Sequence, residues 1–396
     1  MSTILALLLS IYLFATGQAA FIYEQTVTAR IILGVFPLAG FFIMSSLLAG
    51  ALQRSEKTSS PRAIELVMQN TWMKGINYAI FILPIITIPL SSNFGSYDNN
   101  ALAFCLWLIA FGISLDMLFA AKKIFWNSIN PFSYVAAVQK QAKSALHHNR
   151  QTEIPQWIDA LAEQAYKSLA AGAVALGAES LNGLQGIISS FCDSSKGRLL
   201  NKGNDDEALA EISYTVSFFC QRVGAIFQKA LEKHSEPMAS QAIVLLGKTA
   251  IFAAKCDPGM ALEPLHLLGK LALEAQSKEY EEIAIKSEIT LQQVGMAFTS
   301  DINLFSLPLQ EIFLSIIKSM EALSKNAFKK DKNVNLELLV NPFRQLKGQF
   351  IKEEQIVQHP DAPVILQELD RVIGEFEALG QILTNMPNVP GYANQG

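Results

Sequence analysis

The chain has 396 residues, of which 51% are hydrophobic and only 17% charged, and its formal net charge is −4. Such a balance lacks the basic footprint that a phosphate backbone demands, so nucleic acid is not an expected partner. The hydrophobic share is too high for an average soluble domain and the charged share too high for a chain lying wholly in lipid, so two regions of different character are being averaged.

The apolar residues gather first in four stretches, at about 3–22, 30–52, 75–90 and 101–121. Each is near the length that crosses a hydrocarbon layer of ~30 Å. Between the second and third lie Arg54, Lys57, Arg62 and Lys74, whereas the connection at 91–100 holds Asp98 and no Lys or Arg. The positive-inside rule puts the former on the cytoplasmic side and the latter outside, and Lys122 and Lys123 directly after the fourth stretch agree. Residues 1–123 are therefore expected to form a transmembrane domain with both termini cytoplasmic. Gly17-Gln18-Ala19 resembles a cleavage site, but no basic residue precedes the apolar run, so a membrane helix is the preferred reading over a signal peptide.

Pro37, Pro84 and Pro89, with Gly34, Gly40 and Gly50, read as kinked and closely packed membrane helices. A broken-helix transport site would need paired discontinuities in two related halves, and no internal symmetry of that kind is visible. Asp116 is the only acid inside the four stretches, and an intramembrane acid is a functional suspect by default. It precedes Lys122 by six positions, while Asn77 follows Lys74 by three on the neighbouring antiparallel helix. Asp116, Asn77 and Lys74 are thus a candidate polar site near the cytoplasmic surface, either structural or the mouth of an ion pathway.

Residues 124–154 read as a juxtamembrane helix or linker, in which Trp126, Lys140 and Lys143 suit contact with lipid headgroups. His147 and His148 are adjacent and point about 100° apart on a helix, so they do not make the i, i+4 pair that a metal favours. From 155 to 385 the apolar positions recur at three and four residues with no alternating run, which predicts a cytoplasmic all-helical domain. Turn signals at 193–206, 234–237, 256–259, 299–301, 329–335 and 359–363 leave helices of about 15–22 residues between them. Gly247, Gly269 and Gly295 sit in similar local patterns 22 and 26 residues apart, giving a two-helix unit of about 48, near the HEAT or armadillo length. Glycine inside a helix costs about 1 kcal/mol relative to alanine, so its recurrence points to close helix contacts. The expected fold is all-α: four transmembrane helices followed by a soluble antiparallel helical array or bundle, HEAT-like in its repeat. Residues 386–396 read as a disordered tail.

No chemistry stands out along this chain. Gly247-Lys248-Thr249 ends like a phosphate loop, but Ala242 stands where the first glycine is required, and a helix interior explains it. The carboxylates Glu279, Glu281, Glu282 and Glu288, and Glu353, Glu354, Asp361, Glu368 and Asp370, lie among Lys278, Lys286, Lys352 and Arg371 as solvated ion pairs. A general acid and base would need an apolar cleft to separate their pKa values. Cys105, Cys192, Cys220 and Cys256 have no ligand-like spacing and read as small buried hydrophobes. No catalytic residue, cofactor or metal ligand is assigned.

Ser60-Pro61-Arg62, the two apolar stretches after it and Ala165-Tyr166-Lys167-Ser168-Leu169 follow one another as in a family of bacterial inner-membrane proteins of unknown function, which the chain resembles. That resemblance implies the topology above and a bacterial inner membrane. The functional expectation is a membrane-anchored cytoplasmic helical scaffold or protein-interaction module, with the lipid bilayer and a protein as partners. The alternative is a small oligomeric channel or transporter, a homo-oligomer whose pore is made by the kinked second and third helices with Asp116 near its mouth.

Overall fold

The computed structural model describes residues 2–19, 97–202, 206–301, 309–331 and 334–385, with isolated positions at 22, 39, 42, 46, 75, 78 and 82. Most of the expected second and third membrane stretches, Ser60-Pro61-Arg62, Lys74, Asn77, the side chain of Trp126 and the tail at 386–396 lie outside the described residues. All regular structure among the described residues is helical, and the chain divides into two units, 1–134 and 135–396.

In the first unit α1 (Ser2–Ala15) runs antiparallel to α2 (Tyr97–Ile129). Along the first turns of α1 their contact is made of small and polar groups. A Cβ on Gly112 would stand 2.8 Å from Ala6 Cβ and 3.1 Å from the Ser2 carbonyl, so glycine there lets the two backbones close on each other. One level further, the Ser10 hydroxyl donates to its own helix at Ala6 O (2.7 Å) and across to Cys105 O (3.4 Å). Leu13 closes this contact with Phe104 and Trp107, and a row of stacked rings runs from Phe104 through Trp107 to Phe111. Many of the remaining apolar side chains point the other way: Leu5 is 69% exposed, and Leu8, Ile11, Tyr12, Leu102 and Phe119 are exposed with it.

Residues Asn100–Ala120 of α2 have a mean hydropathy of 2.2 and are long enough to span a bilayer. Of the four expected stretches the fourth falls in α2 and the first in α1, whose 14 residues, about 21 Å of helix, fall short of that length, so the expectation of four spanning helices is not met among the described residues. Among the described residues one further helix, Glu236–Ala254, passes the same test of length and apolarity, but it is 61% buried inside the second unit, as a core helix is.

The second unit holds α3 (Pro131–His147, from Val135 onward), α4 (Ile154–Ala170), α5 (Val174–Lys202), α6 (Asp206–Glu232), α7 (Glu236–Ala254), α8 (Leu262–Ser277), α9 (Glu281–Asp301), α10 (Leu309–Lys330), α11 (Leu336–Lys352), the single turn α12 (Glu354–Val357) and α13 (Ala362–Asn385). Successive helices are antiparallel: Glu281 meets Lys330 and Glu288 meets Ser324 across α9 and α10. Alternate helices are parallel and stacked. In one layer Asp159 pairs with Arg222, Ser217 with Glu263, Gln276 with Leu323 O and Glu321 with Arg371, which orders α4, α6, α8, α10 and α13. In the other, Gln139 lies under Gly186, Lys248 on Gln185, Gly247 against Val294 and Gln292 on Gln345, which orders α3, α5, α7, α9 and α11. The sequence thus builds a two-layer array of stacked helix pairs, each burying its apolar stripe against the next.

The three glycines of the sequence pattern sit at the inter-repeat contacts. Gly247 of α7 faces Thr290 and Val294 of α9, Gly269 of α8 faces Ser319 of α10, and Gly295 of α9 faces Leu346 of α11, 2.8 Å from where its Cβ would be. The interior is phenylalanine-rich, with Phe191, Phe219, Phe227, Phe298, Phe313, Phe343, Phe350 and Phe376 fully buried. Helix ends repeat as well. Asn149, His234 and Glu279 take left-handed φ values of 58°, 52° and 68° after α3, α6 and α8. Each places the following N–H on the carbonyl five residues back, as in Arg150 to Ala145, Ser235 to Ala230 and Tyr280 to Ala275. This is the closure that satisfies a helix's last carbonyls.

Two expectations are revised. The Ser- and Gly-rich run from 193 is not a turn up to 202: α5 continues through it to Lys202, with Ser195 fully buried, because tertiary contacts override a weak local propensity. The stretch 124–154, read as a juxtamembrane helix or linker, contributes α3, a helix of the array itself, whose Val135, Val138, Ala142 and Ala145 are buried.

Candidate functional site

α3 and α5 lie side by side in one layer, and their register decides what they place together. Where the start of α3 meets the middle of α5 they are pinched: a Cβ on Gly183 would stand 2.9 Å from Val135 Cγ1, and Gln139 covers Gly186. Further along, the same pair leaves a groove of about 410 Å³ lined by Lys143, Leu146 and His147 of α3 and Ser190 and Ser194 of α5. The offset that puts Gln139 over Gly186 puts Lys143 opposite Ser190 and His147 opposite Ser194, one helical turn apart. The groove therefore carries a cation, an imidazole and two hydroxyls over an apolar floor at Leu146, with no carboxylate in its lining.

These polar groups are uncommitted. Some helical hydroxyls in the array donate to the carbonyl four residues back, as Ser168, Ser180, Thr249 and Ser287 do, whereas the buried Ser195 and Ser315 do not. Among the described residues neither Ser190 nor Ser194 has such a bond, and Lys143 has no ion pair. His147 meets only the edge of His148, at 5.6 Å and 82°. Nor is the end of α3 in need of them, since Asn149 and Arg150 already close its carbonyls.

Asp116 belongs to the first unit and has a different task. Its carboxylate accepts the Ser2 N–H (3.0 Å), the Thr3 N–H (2.9 Å) and the Thr3 hydroxyl (2.7 Å). It caps α1 from a neighbouring helix, an arrangement favoured by the orphan amides and positive end of a helix N-terminus. Its expected companions Asn77 and Lys74 lie outside the described residues. Lys140 is exposed on α3 and does not line the groove, whereas Lys143 does.

The carboxylates divide by environment. Arg371 of α13 binds Glu321 of α10 (2.7 Å) together with Glu368 and Glu375 of its own helix, and Lys325 joins Glu321 and Glu375 from α10. Burial alone would raise the Glu321 carboxyl, but its Arg371 and Lys325 hydrogen bonds outweigh that and hold it below the usual carboxylate range. Glu368 and Glu375 are also held low, the first chiefly by Arg371 and the second chiefly by Lys325. This cluster fastens the last helix to the array. Glu288 is the exception: burial pushes its carboxyl up to about 7, with the Ser324 hydroxyl at 3.0 Å only partly opposing the shift.

The cysteines separated in sequence meet in the fold. Cys256 donates to the Cys192 carbonyl at 3.1 Å, and both Cys192 and Cys220 are buried with their thiols shifted up, Cys192 first by its contact with Cys256 and Cys220 by burial. Among the described residues no cluster of His, Cys, Asp or Glu is arranged to hold a metal ion. Sequence reasoning missed the groove because it links residues 47 positions apart, and only the recurring helix length hints at such a register.

No protein-family model and no curated protein matches the chain. Among solved structures it is similar to a circular tandem repeat protein with novel repeat topology and enhanced subunit contact surfaces, at 12% identity and a TM-score of 0.43, over 96% of this chain and 89% of the other.

Proposed function

We propose that this chain is a membrane-tethered helical-repeat scaffold, in which the first unit is held in the bilayer and the array presents its surface to a protein partner on the cytoplasmic side. What carries the reading is the two-layer array of parallel-stacked helix pairs, an architecture whose extended surface is suited to binding other chains. The tether is supported by the α1–α2 pair, which turns Leu5, Leu8, Ile11 and Leu102 outward and brings Ala6, Ser10 and Gly112 into the contact, as helices packed in lipid do. A pore reading would draw on Asp116, and that carboxylate is committed to the first amides of α1.

Crosslinking in intact cells, with a photoreactive residue at exposed Tyr214 or Ile285 of the array, tests the partner claim. The same protein species trapped from both positions, and lost when the array is unfolded by substitution at Gly247, is the expected result. Crosslinks only between copies of the chain would move the reading to the homo-oligomer.

A further inference from the structure

We propose that the groove between α3 and α5 is a binding site for a phosphate monoester. Its four polar groups are those that recognise such a dianion: the Lys143 ammonium as a point charge, the His147 ring as a donor, and the Ser190 and Ser194 hydroxyls as neutral donors from the facing helix. The spacing is built in by the register, which sets two donors on each helix one turn apart and opposite one another. A volume of about 410 Å³ takes a phosphate together with a small organic substituent, which would rest on Leu146. Two further observations leave these groups available to a ligand. Neither serine makes the intrahelical bond of Ser168, Ser180 and Ser287, which leaves both hydroxyls able to donate into the groove. The last carbonyls of α3 are already closed by Asn149 and Arg150, so Lys143 and His147 are not spent as a helix cap. The site goes beyond the scaffold reading and does not depend on it. A phosphate monoester can come from a soluble metabolite or from the headgroup of phosphatidic acid, and both present the same chemistry to the groove.

The test uses the full chain in nanodiscs. In discs of phosphatidylcholine alone, glycerol 3-phosphate is titrated against an excess of chloride and followed by calorimetry; in a second set, phosphatidic acid replaces part of the lipid and its binding is read by phosphorus NMR. Lys143→Gln is expected to weaken binding about tenfold, the loss of one charge-assisted contact. Ser190→Ala with Ser194→Ala is expected to weaken it without changing charge. Lys140→Gln removes the same charge from the same helix outside the groove and is expected to leave binding within about threefold, as a screened surface charge does. Circular dichroism melting of each variant confirms that the fold is kept. Saturable binding of glycerol 3-phosphate with this pattern supports the site with a soluble ligand. Binding confined to phosphatidic acid with the same pattern supports it with the lipid as the source. No binding in either set, or equal losses in Lys143→Gln and Lys140→Gln, overturns it.

Discussion

The two units are built from the same element with opposite polarity. In the α1–α2 pair the contact is Ala6 on Gly112 and Ser10 on Cys105, closed at one end by Leu13 with Phe104 and Trp107, while Leu5, Leu8 and Ile11 face outward. In the array the contact is Phe191, Phe219, Phe313 and Phe376, while Glu, Lys and Arg take the outside in pairs such as Arg344 with Glu377 and Lys278 with Glu274. Water drives apolar side chains together, but lipid offers no such gain, and helices in it associate through close backbone approach and hydrogen bonds. The difference is what a chain written for two solvents would show, and composition averaged over its length conceals it.

The contrast can be broken most strongly at a glycine contact of the array. Gly247→Val sets a side chain against Thr290, Val294 and Leu268, and overpacking of this kind is expected to cost about 3 kcal/mol, read by urea unfolding of the intact protein. The α1–α2 pair is expected to keep its protection in hydrogen exchange. A smaller effect sharpens the picture of the array's interior. The Glu288 carboxyl lies above its unfolded value of about 4.3, so its folded form is favoured when protonated; that stability is fully present below about pH 4 and is lost as pH rises toward 7. Glu288→Gln is therefore expected to stabilise the array by about 2 kcal/mol at pH 8 and by almost nothing at pH 4, measured by denaturant titration at the two pH values.

The cluster at Arg371 behaves with the opposite sign. Glu321, Glu368 and Glu375 are held low, so their contribution is full above about pH 4.5 and is lost as pH falls through their lower folded values. Arg371→Met is expected to cost about 1–2 kcal/mol after solvent screening of its half-exposed guanidinium, with the faster amide exchange confined to α13 and α10. The smallest effect concerns a helix end. Glu279 holds a left-handed φ of 68°, and Glu279→Gly is expected to gain about 0.5–1 kcal/mol, seen as a small rise in melting temperature.

Much of the fold was legible in the sequence. The three- and four-residue recurrence after 155 gave the helices, and Gly247, Gly269 and Gly295 gave the inter-repeat contacts, because a glycine inside a helix has a local signature whatever it faces. The role of α3 was hidden by its position: basic residues after an apolar helix look like headgroup contacts, and the pattern of Val135, Val138 and Ala142 that places it in the array is equally compatible with a free amphipathic helix. The groove and the approach of Cys256 to Cys192 were not legible, since each depends on a register between parallel helices that no local pattern encodes. Asp116 was found as a suspect, but its partners Ser2 and Thr3 lie more than 110 residues away.

The most direct test of the two-solvent account is a nitroxide label in nanodiscs, placed at Leu8 on α1 or at Ile285 on α9 in a background free of native cysteines, with its collision rates measured against oxygen and a water-soluble nickel chelate. The account expects Leu8 to meet oxygen and exclude nickel, and Ile285 to show the reverse. Nickel reaching Leu8 as freely as Ile285 would contradict it, because the apolar face of α1 would then be in water.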